Sequence, residues 1–197
     1  MRGGQLRHVT ASLVLLQDSV PVSALAIFAG VDERSCKQIL RCLSSLLLYD
    51  HGLQEPVRVM HPSFPDFLTY SARCIDAELV VHAAKYHWQL AERCLQILNE
   101  GLRRNICNID DPSLANNQIR DLDKRLAVAA PLHLRYAACF WHVHLTKGTS
   151  APSKVHDTPP SLAEFCSGHL FHWVELMSLT NELHVVQRGL PAAIASL

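Results

Sequence analysis

The sequence predicts a mainly α protein, with a winged-helix domain and its small β ribbon at about 10–83 and an α-helical bundle at about 84–197. Three observations predict it. Apolar residues recur at helical spacing over 12–48, interrupted by a very tight turn. A short run rich in β-branched residues, Val57 to His61, follows after Pro56. From about residue 84 the pattern is helical again.

The first helix is legible only at its end, in the apolar stretch Leu13 to Gln17. Pro21 suits the first position of the next helix, where a missing N–H costs nothing. Val22, Leu25, Ala26 and Ala29 then repeat at helical spacing. Gly30 is placed to end that helix in a left-handed conformation, and Asp32 to cap the one after it. Cys36, Ile39, Leu40, Leu43, Leu46 and Leu47 form one apolar stripe on this third helix. Three short helices with a tight turn between the last two are the sequence form of a helix-turn-helix.

Asp50-His51-Gly52 reads as a turn, and 57–61 as a strand able to pair with a second candidate, Leu79-Val80-Val81. Pro62 restrains His61 to an extended conformation. Ser63 and Asp66 have the spacing of a capping box for a short helix through Phe67 and Leu68. Beyond residue 84, Ala91, Cys94, Leu95, Leu98 and Leu102 share one helical face, and residues 105–117 read as a polar loop. Ala130, Leu134, Ala137, Ala138, Trp141 and Leu145 mark another helix, which Pro131 either starts or kinks. A flexible loop is expected at about 148–160, rich in Gly, Ser, Thr and Pro. Leu162, Phe165, Cys166, His169, Trp173, Leu176 and Met177 make a third stripe, and a last helix capped by Asn181 is expected to stop near Pro191.

Composition narrows the function. Apolar residues make up 49% and charged residues 18%, which excludes disorder of the whole. Eighteen Lys and Arg balance eighteen Asp and Glu, and no segment carries the positive excess of a phosphate-dependent nucleic-acid binder. The seven Cys are widely spaced and include no Cys-x-x-Cys, which fits reduced, mostly buried thiols in a cytoplasmic protein. The N-terminal residues lack the apolar core of a signal peptide, and no apolar run approaches a membrane span.

No phosphate loop, Gly-x-Ser-x-Gly or His-Glu-x-x-His occurs, so no catalytic residue is named and the chain reads as a non-enzyme. Cys139 with His142 and Cys166 with His169 stand three apart, but zinc needs further ligands at suitable spacing. No metal is expected, and His169 reads as a hydrogen-bonded core histidine. Arg34, Lys37 and Arg41 form a basic face on the third helix, the element that enters the major groove in a DNA-binding winged helix, or else a solvated face. His61 is the most specific candidate. It directly precedes a helix N-terminus, where free N–H groups and the helix dipole favour anions. Its alternative is a structural role, tying strand to helix.

With those residues in view, the chain resembles the region after the NACHT ATPase module of fungal NACHT–WD-repeat proteins, which are NLR-like signal-transduction ATPases. The resemblance is carried by Pro21-Val22-Ser23-Ala24-Leu25-Ala26, Leu43-Ser44-Ser45-Leu46-Leu47 and above all His61-Pro62-Ser63-Phe64-Pro65-Asp66-Phe67-Leu68. Leu90 to Leu95, Arg104 to Ile109, Tyr136 to Trp141 and His169 to Glu175 follow in the same order, so that about 12–190 is covered. It implies a winged-helix arm leading into a helical linker. It also implies that a histidine at position 61 contacts the β-phosphate of ADP and holds a closed state. The partner would be a NACHT-type ATPase module or another NLR-like chain, meeting a surface at His61, Ser63 and Arg58. ADP or ATP would enter only with such a module, and innate-immune signalling would be the setting. The NACHT phosphate loop and the repeats are not among these residues, so the expectation is a fragment, a truncated product or a freestanding regulatory piece. The alternative is a winged-helix DNA-binding protein.

Overall fold

A computed structural model describes residues 3–49, 55–70, 72–74, 76, 79–149 and 159–196. They are mainly helical, with a small two-stranded antiparallel sheet. The chain divides into two units, Met1–Leu90 and Ala91–Leu197, and the boundary falls inside one helix.

Unit 1 begins with α1 (Gly3–Leu15), α2 (Val22–Ala29) and α3 (Glu33–Cys42). The helix α1 is far longer than its apolar end suggests. Its buried face includes Thr10 and Ser12, and Thr10 satisfies its hydroxyl by donating to the Leu6 carbonyl at 2.9 Å. The predicted punctuation after α2 is present. Gly30 takes φ 65°, and the Val31 N–H reaches back to the Ala26 carbonyl. The Asp32 carboxylate then accepts the Ser35 N–H at 2.8 Å and the Ser35 hydroxyl at 2.6 Å, opening α3. Pro21 sits just outside α2, in extended conformation, rather than as its first residue. Leu25, Cys36, Ile39 and Leu40 are buried, as the stripes predict.

The stripe misleads beyond Cys42. Ser44–Leu46 form a 3₁₀ turn, and Leu47–Leu48 become strand β1. It pairs with β2 (Arg58–Val59), whose partner is therefore not the expected Leu79–Val81. On the other side of that run Pro56 bridges Pro21, and the Val57 N–H donates to the Val20 carbonyl at 3.0 Å. Val80 and Val81 are buried without joining a ladder; the Val81 N–H bonds the Leu68 carbonyl instead. The expected turn at 50–52 lies outside the described residues. Helix α4 (Ser63–Thr69) follows, then the start of α5 (Ala83–Gly101).

Unit 2 takes in the rest of α5, a 3₁₀ turn at Asn116–Gln118, α6 (Leu122–Ala129) and α7 (Leu132–Thr149). Next come α8 (Pro160–Glu164), a π-helical turn (Phe165–His169), α9 (Leu170–Leu179) and α10 (Leu183–Ser196). Pro131 starts α7, whose last residues occupy the beginning of the expected 148–160 loop. Residues 150–158 lie outside the described set. The core centres on Trp141, Phe165 and Trp173, all fully buried with ring centroids 5.1 to 5.8 Å apart. The Trp173 indole N–H donates to the Ala138 carbonyl at 2.9 Å. Gly189 lets α10 lie against these rings, since a Cβ there would stand 2.7 Å from Trp173.

Two expectations fail at the end of the chain. Asn181, with φ 61°, closes α9 rather than capping α10: the Glu182 N–H bonds the Met177 carbonyl at 2.7 Å. Pro191 does not stop α10, whose last turn is held by the buried Ala193. Proline forfeits one helical bond, yet the helix runs on to Ser196.

Candidate functional site

The segment from β2 to α4 carries the candidate residues His61, Ser63 and Arg58, all exposed. The capping box expected at Ser63 and Asp66 is not formed. Pro62 is already helical (φ −63°, ψ −19°), so Ser63 lies inside the first turn and cannot cap it. The imidazole takes over that task. His61 Nδ1 accepts the Ser63 N–H at 3.1 Å and lies 2.8 Å from the Ser63 hydroxyl. An N-cap oxygen would bond a first-turn N–H in the same way. A nitrogen that accepts a backbone N–H carries no proton, so the neutral ring holds its proton on Nε2. The ring thus offers a donor away from the helix it caps. Both readings of His61 meet here: it ties the extended segment to the helix, yet remains open to solvent. Arg58 stands opposite Leu48 in the ribbon, and its side chain has no hydrogen bond or ion pair among the described residues.

On α3 the structure brings Arg34, Lys37 and Arg41 to the side away from buried Cys36, Ile39 and Leu40. Lys37 is paired with Glu33 one turn earlier. That carboxylate holds the Lys37 ammonium above the usual lysine range and offsets part of the positive face.

No group of three potential metal ligands occurs among the described residues. Burial pushes the Cys36 thiol up to about 12 and raises Cys94, Cys107 and Cys166 as well, so these sulfurs remain protonated at neutral pH. Burial, reinforced by Arg188, lowers His142 to about 4. His169 is not the hydrogen-bonded core residue expected. It is half-buried, its Nδ1 has no partner among the described residues, and its ring lies 5.7 Å from His172. The π turn adds a residue to its helical turn and so rotates Cys166 and His169 off the stripe.

What sequence reasoning missed is a set of long-range fastenings in unit 2. The Glu175 carboxylate accepts the N–H groups of Asn105 and Ile106 at 3.1 and 3.3 Å. Asn105 sits at φ 52°, and its amide ties both backbone groups of Ile109. Arg125 donates to the carbonyls of Cys107 and Asn108. Glu92 accepts the Ser161 hydroxyl at 2.7 Å and its N–H at 3.3 Å at the start of α8. The stretches Arg104–Ile109 and His169–Glu175, far apart in the chain, therefore meet. The only local signal was the asparagines at 105 and 108, which tolerate positive φ.

An open cleft of about 990 Å³ lies beside these fastenings, between the 3₁₀ turn and the start of α10. Its polar groups are largely engaged. Asn116 donates to the Ser178 carbonyl and to Asn181, and Asp121 pairs with Lys124 and Arg120. No helix among the described residues is long and apolar enough to cross a membrane. Comparison with protein-family models, with curated proteins and with solved structures finds no match to this chain.

Proposed function

We propose that the chain is a non-catalytic regulatory arm of an NLR-like signal-transduction ATPase, working in the cytoplasm in innate-immune signalling. In this reading 10–83 is a winged-helix domain, and its partner is a NACHT-type ATPase module. The observation that carries the reading is the His61 ring, exposed, with Nδ1 occupied by Ser63 and Nε2–H turned to donate. The order of three helices and a ribbon supports the winged helix, as does the Pro21–Pro56 bridge running alongside β2. Rotation of the arm would couple the partner's nucleotide state to assembly, as a rigid-body movement about an interface. No cofactor belongs to the chain itself; ADP would arrive with the partner and accept from His61. Mixing the chain with the NACHT module of a fungal NACHT–WD-repeat protein tests this. Association and slower ADP release are expected, with the slowing lost in His61→Ala. No association, or no effect of the substitution, would sink the reading.

A second reading, a winged-helix DNA-binding protein, draws on the shared outward face of exposed Arg34 and Arg41 and half-buried Lys37. It requires duplex binding that falls steeply with salt and is lost when the three are neutralised.

A further inference from the structure

The register of the ribbon sorts its side chains onto two faces. Leu47 stands opposite Val59 and Leu48 opposite Arg58. The Met60 N–H donates to the Leu46 carbonyl at 3.0 Å, which carries the pairing one residue further. Residues opposite one another share a face, and neighbours along a strand alternate. Leu47 and Val59 therefore point one way, and Leu47 is 4% exposed. Leu48 and Arg58 point the other way, with Leu46 and Met60 just beyond the strand ends. There Leu46 is 38% exposed, Leu48 54% and Met60 54%, and Arg58 is exposed too. An antiparallel ribbon with one covered face ordinarily shows polar side chains on the other. Here an exposed Leu48 stands opposite Arg58, whose guanidinium has no ion pair among the described residues, and exposed Leu46 and Met60 follow at the strand ends.

We infer that this outer face is a docking surface for a protein segment presenting a carboxylate flanked by apolar side chains. The charge selects the occupant. A guanidinium matches a carboxylate through paired N–H donors, and its strength rises as neighbouring apolar groups exclude water. Arginine is also among the residues enriched at interface hot spots. A second copy of the chain would bring two Arg58 guanidinium groups into one small two-fold patch, a like-charge arrangement. A nucleic acid would need several cations, and this face supplies one. By using Arg58 as part of a partner surface, the inference rests on the regulatory reading and names the chemistry of that partner.

The test is panning of phage-displayed random short peptides on the full chain, immobilised by a terminal tag. Selected peptides should be enriched in Asp or Glu flanked by Leu, Phe or Trp. Arg58→Glu should weaken their binding at least about tenfold, as should Leu48→Ser combined with Met60→Ser. Panning on Arg58→Glu should return Lys or Arg at the acidic position. The variants alter exposed side chains, and circular dichroism checks that they fold; Arg58→Gln serves if the reversal does not. Peptides without acidic enrichment, or binding indifferent to both variants, would overturn the inference. So would a concentration-dependent dimer dissolved by Leu48→Ser, or displacement of the peptides by duplex DNA. The two proposals fail separately. Peptide binding without any effect on ADP release sinks only the regulatory reading, whereas slowed release without peptide selection sinks only the docking surface.

Discussion

The ribbon of unit 1 and the tryptophan core of unit 2 handle their side chains in opposite ways. Trp141, Phe165 and Trp173 are fully buried, and the Trp173 N–H is matched to the Ala138 carbonyl, although the Trp141 N–H has no partner among the described residues. Polar side chains there fasten backbone, as Glu175 does for Asn105 and Ile106. In the ribbon, Leu48, Arg58, Met60 and His61 face outward instead. The contrast separates residues held for stability from residues left available.

Substitution can break that contrast. The largest effect is expected from Trp173→Ala, which removes a fully buried indole and the bond to Ala138. A loss of about 3–5 kcal/mol follows for such truncations, read from urea unfolding. Leu48→Ser on the ribbon should change stability by less than about 0.5 kcal/mol in the same measurement. A comparable loss at both positions would erase the distinction.

An intermediate effect belongs to Glu175→Ala. It leaves the N–H groups of Asn105 and Ile106 without their acceptor, and Ile106 is buried. The expected cost is about 1–3 kcal/mol, with faster amide exchange at those two positions. Exchange rates unchanged at Asn105 and Ile106 would show that the carboxylate fastens nothing.

The smallest effect sharpens the contrast through pH. His142 titrates near 4 in the folded protein because it is buried, below the ordinary histidine value. Between those two values the unfolded chain binds the proton more readily than the folded one. Stability should therefore decline as pH falls from 7 through 6.5 and level off below about 4. Urea midpoints measured at pH 7 and 6 should differ less in His142→Gln than in the wild type.

Legibility in the sequence followed the range of each interaction. Gly30 and Asp32 were readable because a left-handed stop and an N-cap act within a few residues. The stripes of α5 and α7 were readable because burial repeats with the helical turn. The partner of β2 was not, since short apolar pieces such as 47–48 and 79–81 look alike until the fold selects one. Helix α6 opens after Asp121 in a left-handed conformation, without a side-chain cap, and carries one fully buried side chain, Leu126, so its pattern is faint. His61 and Ser63 were both singled out, but the cap was assigned to Ser63 with Asp66, whereas the imidazole accepts the Ser63 N–H. Glu175 gave no sign at all, because its partners lie about seventy residues away.

The imidazole of His61 has a consequence for observation. Its two nitrogens differ in kind, one receiving the Ser63 N–H and the other bearing the proton. Nitrogen-15 resonance separates these two types by a wide interval, so the ring is its own spectroscopic label. Arrival of an anion at Nε2 would register there without any attached probe.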